Sequence, residues 1–252
     1  MSKNTKGWIA ALAVALLGGV GVTLAMHDKN PPTGVAVVEL FTSEGCSSCP
    51  PADAFLAKLV NEGRDHVYPL AFHVDYWDTP QWRDAFSDAR FSRRQEGCAK
   101  ASGSRDVYTP QMIVNGSKGF VGSDEQVARS EIAAALKQKA AVSLELAVRR
   151  SAGQVTVDCK TDAAGVGKML NLALVERGIR RKIGGGENAG RSLSHENVVR
   201  AFESMKTTGP RSTVSLVIPA AAVSAQCSVI AYVQDESMHV MGAGAVNLAT
   251  VH

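Results

Sequence analysis

The stretch from Val37 to Pro51 constrains this chain more than any other. Val37-Val38-Glu39-Leu40-Phe41 is a short, mostly apolar run, the pattern of a strand buried on both faces of a sheet. A turn follows, and then Cys46-Ser47-Ser48-Cys49-Pro50-Pro51. Two prolines suit the first turn of a helix, where no backbone N–H is needed. The segment therefore reads as a strand handing over to a helix at a Cys-x-x-C pair. The positive end of a helix stabilises a thiolate, and two thiols one turn apart can close a disulfide and pass it on by exchange. A structural zinc site needs four ligands, and no second pair of cysteines completes such a set.

The amino terminus points to export. Lys3 and Lys6 precede an apolar stretch from Trp8 to Met26, a charged region followed by a hydrophobic one, as in a secretory signal. Thr23-Leu24-Ala25 offers a cleavage site after Ala25. Left uncleaved, residues 1–25 approach the length of an inner-membrane anchor. Residues 26–33, with Pro31-Pro32, read as a linker. Either way the bulk of the chain is expected in the periplasm or outside the cell, where the five cysteines meet oxidising conditions. A formal charge of +3 with no long basic run disfavours nucleic acid as a partner, and no cofactor is expected.

The 252 residues allow one or two domains, and the pattern changes near residue 140. Before it, strand and helix alternate. Strands are expected over Val35–Phe41, Val67–Val74, Gln111–Asn115 and Gly119–Val121. Helices are expected over Cys49–Glu62, Asp88–Ala101 and from a Ser123 cap to Lys137, with Gln126 at the capping-box position. This predicts an α/β unit over 34–139, a mixed sheet flanked by helices. Residues 140–252 hold seven short, mostly alternating runs, at Val142–Val148, Gln154–Cys159, Met169–Val175, Val198–Phe202, Ser212–Ile218, Ser228–Asp235 and Val240–Leu248. They predict an all-β, immunoglobulin-like sandwich domain. The polar, Gly-rich stretch from Gly178 to Glu196 is too long for a simple hairpin loop. It reads as a flap or a solvated ribbon.

The candidate site lies in the first unit. Cys46 is the expected nucleophile and the more exposed sulfur, and Cys49 the resolving thiol; the alternative is an inert structural disulfide. Glu39, on a buried strand, must be paired or neutral, and the higher pKa that burial gives a carboxylate would suit a proton acceptor for Cys49. A strand-end acid bonded to backbone is the plainer reading. The spacing of Glu39, Cys46, Cys49 and Thr109-Pro110 fits a thioredoxin fold, in which that proline is cis and faces the disulfide. Thr109 and Pro110 would then meet an extended protein partner by strand addition. Tyr76, Trp77 and Trp82 would form an apolar rim for it, or else core aromatics.

The blocks Val38–Asp53, Ala71–Asp78, Val107–Met112, Gly186–Arg191 and His195–Arg200 resemble an exported bacterial thioredoxin-like family catalogued only as a domain of unknown function. The resemblance implies a thioredoxin-like fold with a carboxy-terminal β domain and carries over no activity. In thioredoxins the comparable acid stands one residue nearer the first cysteine than Glu39 does. From the residues themselves, a thiol–disulfide oxidoreductase acting on a protein thiol or disulfide is expected. The alternatives are copper or other metal handling by Cys46, Cys49 and His73, with Asp75, Asp78 and Met112 nearby, and a redox-inert binding module. Cys159 and Cys227 are candidates for an inter-sheet bridge, which leaves Cys98 as a buried thiol or a third redox partner.

Overall fold

The computed structural model describes residues 34–251 and the two-residue strand Thr23–Leu24. The expected signal or anchor over 1–25 and the linker over 26–33 otherwise lie outside the described residues. In chain order the elements are β1 (Thr23–Leu24), β2 (Ala36–Thr42), α1 (Pro50–Glu62), β3 (Val67–His73), α2 (Ala89–Ala101), β4 (Gln111–Val114), β5 (Phe120–Val121) and α3 (Glu125–Lys137). The second half follows as β6 (Leu144–Ser151), β7 (Gln154–Thr161), β8 (Met169–Glu176), β9 (Ile179–Lys182), β10 (Ser192–His195), β11 (Val198–Lys206), β12 (Arg211–Val217), β13 (Cys227–Gln234) and β14 (Val240–Asn247).

Each helix begins and ends where its chemistry dictates. Cys49 is the N-cap of α1, with proline in the first turn, and Gly63 closes it at φ 56°, a left-handed conformation that glycine adopts without a Cβ penalty. The Asp88 carboxylate caps α2 by accepting from the Arg90 N–H. α3 is capped by Asp124, which accepts from Val127 N. The cap therefore falls one residue beyond the expected Ser123, because a carboxylate is both a strong acceptor and favoured at the positive helix end.

The fold is mixed α/β, built on one large mixed sheet. Its eight strands run in the order β14-β13-β8-β11-β3-β2-β4-β5. β2 and β3 are parallel, β4 returns antiparallel to β2, and β11 joins β3 in parallel through the pair Val198↔Ala71. Four strands, β1-β6-β7-β12, form a second sheet, and β9 and β10 make a separate hairpin. The expected boundary near residue 140 is therefore no boundary in the sheet. The seven alternating runs of the second half are strands, and β9 and β10, within the stretch read as a flap or ribbon, are two more. Yet β8, β11, β13 and β14 extend the first-half sheet, because the open side of β3 is an edge with unpaired backbone groups.

Three apolar cores follow. One packs α1 and α3 against one face of β2, β3 and β4. A second lies on the opposite face beneath α2 and crosses both halves, joining Phe41, Phe72 and Phe91 to Val175, Ile230 and Tyr232. The third fills the space between the two sheets. It contains Cys159 and Cys227, which are free thiols and not a bridge. Burial pushes them up to about 12 and about 11 respectively, so both behave as small apolar side chains. Among the described residues no helix is long and apolar enough to cross a membrane.

Candidate functional site

Cys46 and Cys49 form a disulfide with Cα atoms 5.4 Å apart. β2 delivers the chain to the turn at Thr42–Gly45, and α1 starts directly after Cys49. Neither sulfur-bearing residue is open to solvent. Cys46 and Cys49 are both 0% exposed, whereas Ser47 and Ser48 between them are exposed. This corrects the expectation that Cys46 would be the accessible thiol. The physical reason is a segment far along the chain.

That segment, Ile183–Arg191, joins β9 to β10 and lies as a strap across the Cys46 turn. The Glu187 N–H donates to the Gly45 carbonyl at 3.0 Å. Glu187 Oε2 accepts from both the N–H and the hydroxyl of Ser47, at 3.0 and 2.6 Å, and these bonds lower the Glu187 pKa. The buried Asn188 amide donates to the carbonyls of Glu44 and Cys46, at 3.0 and 2.8 Å. The Arg191 guanidinium in turn donates to the Asn188 side-chain oxygen Oδ1 at 2.6 Å. Close approach depends on glycine: a Cβ on Gly186 would stand 2.7 Å from the Gly45 Cα, and one on Gly185 2.5 Å from the Trp82 ring. The polar stretch over 178–196 is thus a short hairpin carrying a strap.

Beneath the turn lies a buried ionisable cluster. Asp53, on α1 one turn after Cys49, accepts from the Thr42 hydroxyl at 2.8 Å. Burial raises its carboxyl pKa, against the opposing charges of His195 and His73. His73, at the end of β3, holds Asp84 through Nδ1 at 2.7 Å. A carboxylate only accepts, so Nδ1 carries the proton. Burial opposes the imidazolium, but the charge of Asp84 and its hydrogen bond outweigh this, and the His73 pKa is raised. Asp84 is pushed up by burial too, yet His73 and the backbone N–H groups of Glu44 and Phe86 hold it well below the usual carboxylate range. Glu44 Oε1 meets Arg181 at 2.9 Å and lies 3.2 Å from His195 Nε2. That last contact is too poorly aligned to be a hydrogen bond. His73 Nε2, His195 Nε2 and Glu44 Oε2 are therefore buried without a partner, and the His73 and His195 rings stand 5.2 Å apart.

Glu39 belongs to a different arrangement. It faces α2, on the side of the sheet away from α1, as alternation along β2 requires. Arg94 grips both its oxygens, at 2.7 and 3.1 Å, and the Tyr232 hydroxyl donates to it at 2.8 Å. The expected proton acceptor for Cys49 is thus held in a permanent ion pair on the opposite face, and Asp53 is the acid on the cysteine side. An acid in the first turn of a helix is ordinary, so its position in α1 carries no functional signal in the sequence.

The remaining expected residues separate. Thr109-Pro110 is a cis peptide. Thr109 Oγ1 accepts from the Trp77 indole at 2.8 Å, Pro110 is buried, and Tyr76 is exposed with its hydroxyl on Gln95. Trp77 and Trp82 flank Gly45. Asp75 is bonded to Ser92 of α2 and Asp78 to Arg83, Ser87 and the Asp84 N–H, so neither carboxylate is bonded to His73. Met112 packs in the core beneath α1. Among the described residues no group of three or more His, Cys, Asp or Glu is set to hold a metal ion. Cys98 is buried under α2, where burial, then Glu39, pushes its thiol up to about 12. Sequence reading missed Asp84, Asp53, Asn188 and Glu187, whose long-range partners lie 11 to 144 positions away.

A comparison with curated proteins gives no match. Among solved structures, the chain is similar to the X-ray crystal structure of a protein from Agrobacterium tumefaciens, with 29% identity, a TM-score of 0.66, and 87% of this chain and 97% of that chain covered. The family model described as Protein of unknown function (DUF1223) matches residues 37–234, which include the disulfide, the strap and the ionisable cluster, and the chain belongs to that family.

Proposed function

We propose that this chain is an exported, thioredoxin-like protein that exchanges its Cys46–Cys49 disulfide with a protein thiol or disulfide once the strap over 183–191 lifts. The observation that carries this reading is the pairing of that disulfide, at the start of α1, with a buried carboxyl on the same helix one turn on. A partner thiolate would attack Cys46 Sγ; the S–S bond breaks and Cys49 leaves as a thiolate. Asp53, held toward its protonated form by burial, would supply the proton. A second partner thiolate would then attack the partner's own sulfur in the mixed disulfide, breaking its bond to Cys46, which leaves as a thiolate and takes up a proton. The partner departs oxidised by two electrons, and Cys46 and Cys49 are left as a dithiol. Thr109-Pro110 and Tyr76 border the route by which a chain would approach. The protein would act in the periplasm or outside the cell, with residues 1–25 as its export signal or inner-membrane tether.

A second reading rests on a specific observation. Both cysteines are fully enclosed and the strap makes side-chain and backbone bonds to Glu44, Gly45, Cys46 and Ser47. On that reading the disulfide braces a binding module. Metal handling by Cys46, Cys49 and His73 has less support, since a disulfide offers no thiolate and His73 Nδ1 is engaged by Asp84.

Trapping decides between them. The Cys49→Ser variant, expressed with its export segment, should accumulate a mixed disulfide on Cys46, identified by mass spectrometry. An empty trap, together with a wild-type disulfide that glutathione cannot reduce without unfolding the protein, would leave only the structural reading.

A further inference from the structure

The far end of β3 from the disulfide carries a second site. β11 begins at Val198 and meets β3 only at Ala71, so Val67–Leu70 have β2 on one side and no strand on the other. The gap opens as a cavity of about 410 Å³, within the size range of small-molecule sites. Leu59 and Val60 of α1 and Ile230 of β13 line it, and Arg64, His66, Tyr68 and Arg177 supply its polar groups.

Its charge is unbalanced. Arg64 and Arg177 stay protonated at any physiological pH, and Asp65 is the acid in the lining. The neighbouring carboxylates are engaged elsewhere. Glu62 is held by Arg129 at 2.7 and 3.2 Å, Glu176 by Arg200, and Glu196 by the Gly178 N–H. Among the described residues neither Arg64 nor Arg177 makes an ion pair.

The backbone here is also held in uncommon conformations. His66 and Asn197 both line the cavity, and both are non-glycine residues at positive φ, 64° and 48°. Such residues cost free energy and persist where the surroundings impose them. Asn197 uses its amide to close off the β3 edge, donating to the Pro69 carbonyl at 2.8 Å. Proline at 69 offers no N–H. The edge is therefore closed to an added peptide strand, which leaves room for a compact ligand.

We infer that this cleft binds a small organic anion with an apolar body, its carboxylate or comparable head on Arg64 and Arg177 and its body against Leu59, Val60 and Ile230. Arginine suits such a head because its planar fork meets two oxygens at once. The site is independent of the exchange reaction.

Isothermal titration of the full chain with octanoate, octanol and inorganic phosphate tests this. Octanoate should bind, octanol and phosphate at least about tenfold more weakly, since both head and body contribute. Arg64→Gln and Arg177→Gln should each weaken octanoate by about tenfold with the thermal melt unchanged. Equal binding of octanol, equal binding of phosphate, binding indifferent to both substitutions, or no octanoate binding at millimolar concentration would each overturn the assignment.

Discussion

Glu39 and Asp53 are both buried carboxylates, 1% and 8% exposed, on opposite faces of the same sheet, and their surroundings treat them in opposite ways. Glu39 has a fixed counter-ion. Arg94 binds both its oxygens while also lying over the rings of Phe202, Tyr232 and Phe72. The pair joins β2, α2 and β13, and so ties the two halves of the chain across one core. Asp53 has a hydroxyl for a partner and two histidines for neighbours. The oxygens of Glu39 are committed to the Arg94 cation and to the Tyr232 hydroxyl. An acid among titratable groups can give up or accept a proton at small cost. Burial alone therefore does not mark a functional carboxyl, and what surrounds it does.

The sharpest way to break this contrast is to remove the fixed cation. Arg94→Ala leaves Glu39 buried without its counter-ion and should lower unfolding free energy by about 3–5 kcal/mol, read from urea denaturation. A loss below about 1 kcal/mol would show that the Arg94–Glu39 pair does not tie the two halves together.

The next effect concerns the strap. Asn188→Ala removes two hydrogen bonds to the Cys46 turn, each contributing about 0.5–1.5 kcal/mol. Reduction of the Cys46–Cys49 disulfide by a small thiol should then speed up by roughly tenfold or more, since about 1.4 kcal/mol is a factor of ten. Glu187→Ala should act in the same direction. An unchanged reduction rate in both variants would remove the strap as the barrier to access.

A smaller effect is expected in the pH dependence of stability. His73 has a raised pKa, so its contribution is complete below its ordinary value and fades as pH rises through the raised one. Asp84 has a lowered pKa, so its contribution is present above the ordinary carboxylate range and fades as pH falls through the lowered one. Asp53 has a raised pKa, so the fold prefers its protonated form, and stability falls as pH climbs from about 4. Asp53→Asn should remove that last slope and leave the other two, as measured by thermal melts across pH. A variant profile parallel to the wild type would mean that Asp53 does not titrate in the fold.

The least effect should come from Cys98→Ala, on the Glu39 face. It trims one small buried side chain, costs about 1 kcal/mol, and leaves reduction of Cys46–Cys49 unchanged. A changed reduction rate would mean the two faces communicate through a third thiol.

Much of the secondary structure was legible because it depends on near neighbours. The prolines after Cys49 start α1, the Asn115-Gly116 step turns β4 toward β5, and both Asn115 and Gly116 adopt the positive φ this requires. Alternating runs located the strands of the second half to within a few residues. The site was legible only in its cysteines. Its acid, its histidine pair and its strap come from elements that meet in space, and a helix-end aspartate or a glycine-rich loop carries no mark of that meeting.

By itself the sequence determined most of the strands and helices, though not β9 and β10, and where the Cys46–Cys49 pair sits, since these follow from periodicity, capping and a spacing of three residues. Only the tertiary structure decided that the two halves share one sheet, that Glu39 turns away from the cysteines while Asp53 turns toward them, and that residues 183–191 seal the disulfide. Those outcomes depend on which exposed edges and buried charges find each other across the folded chain, and pairing at long range leaves no periodic trace along it.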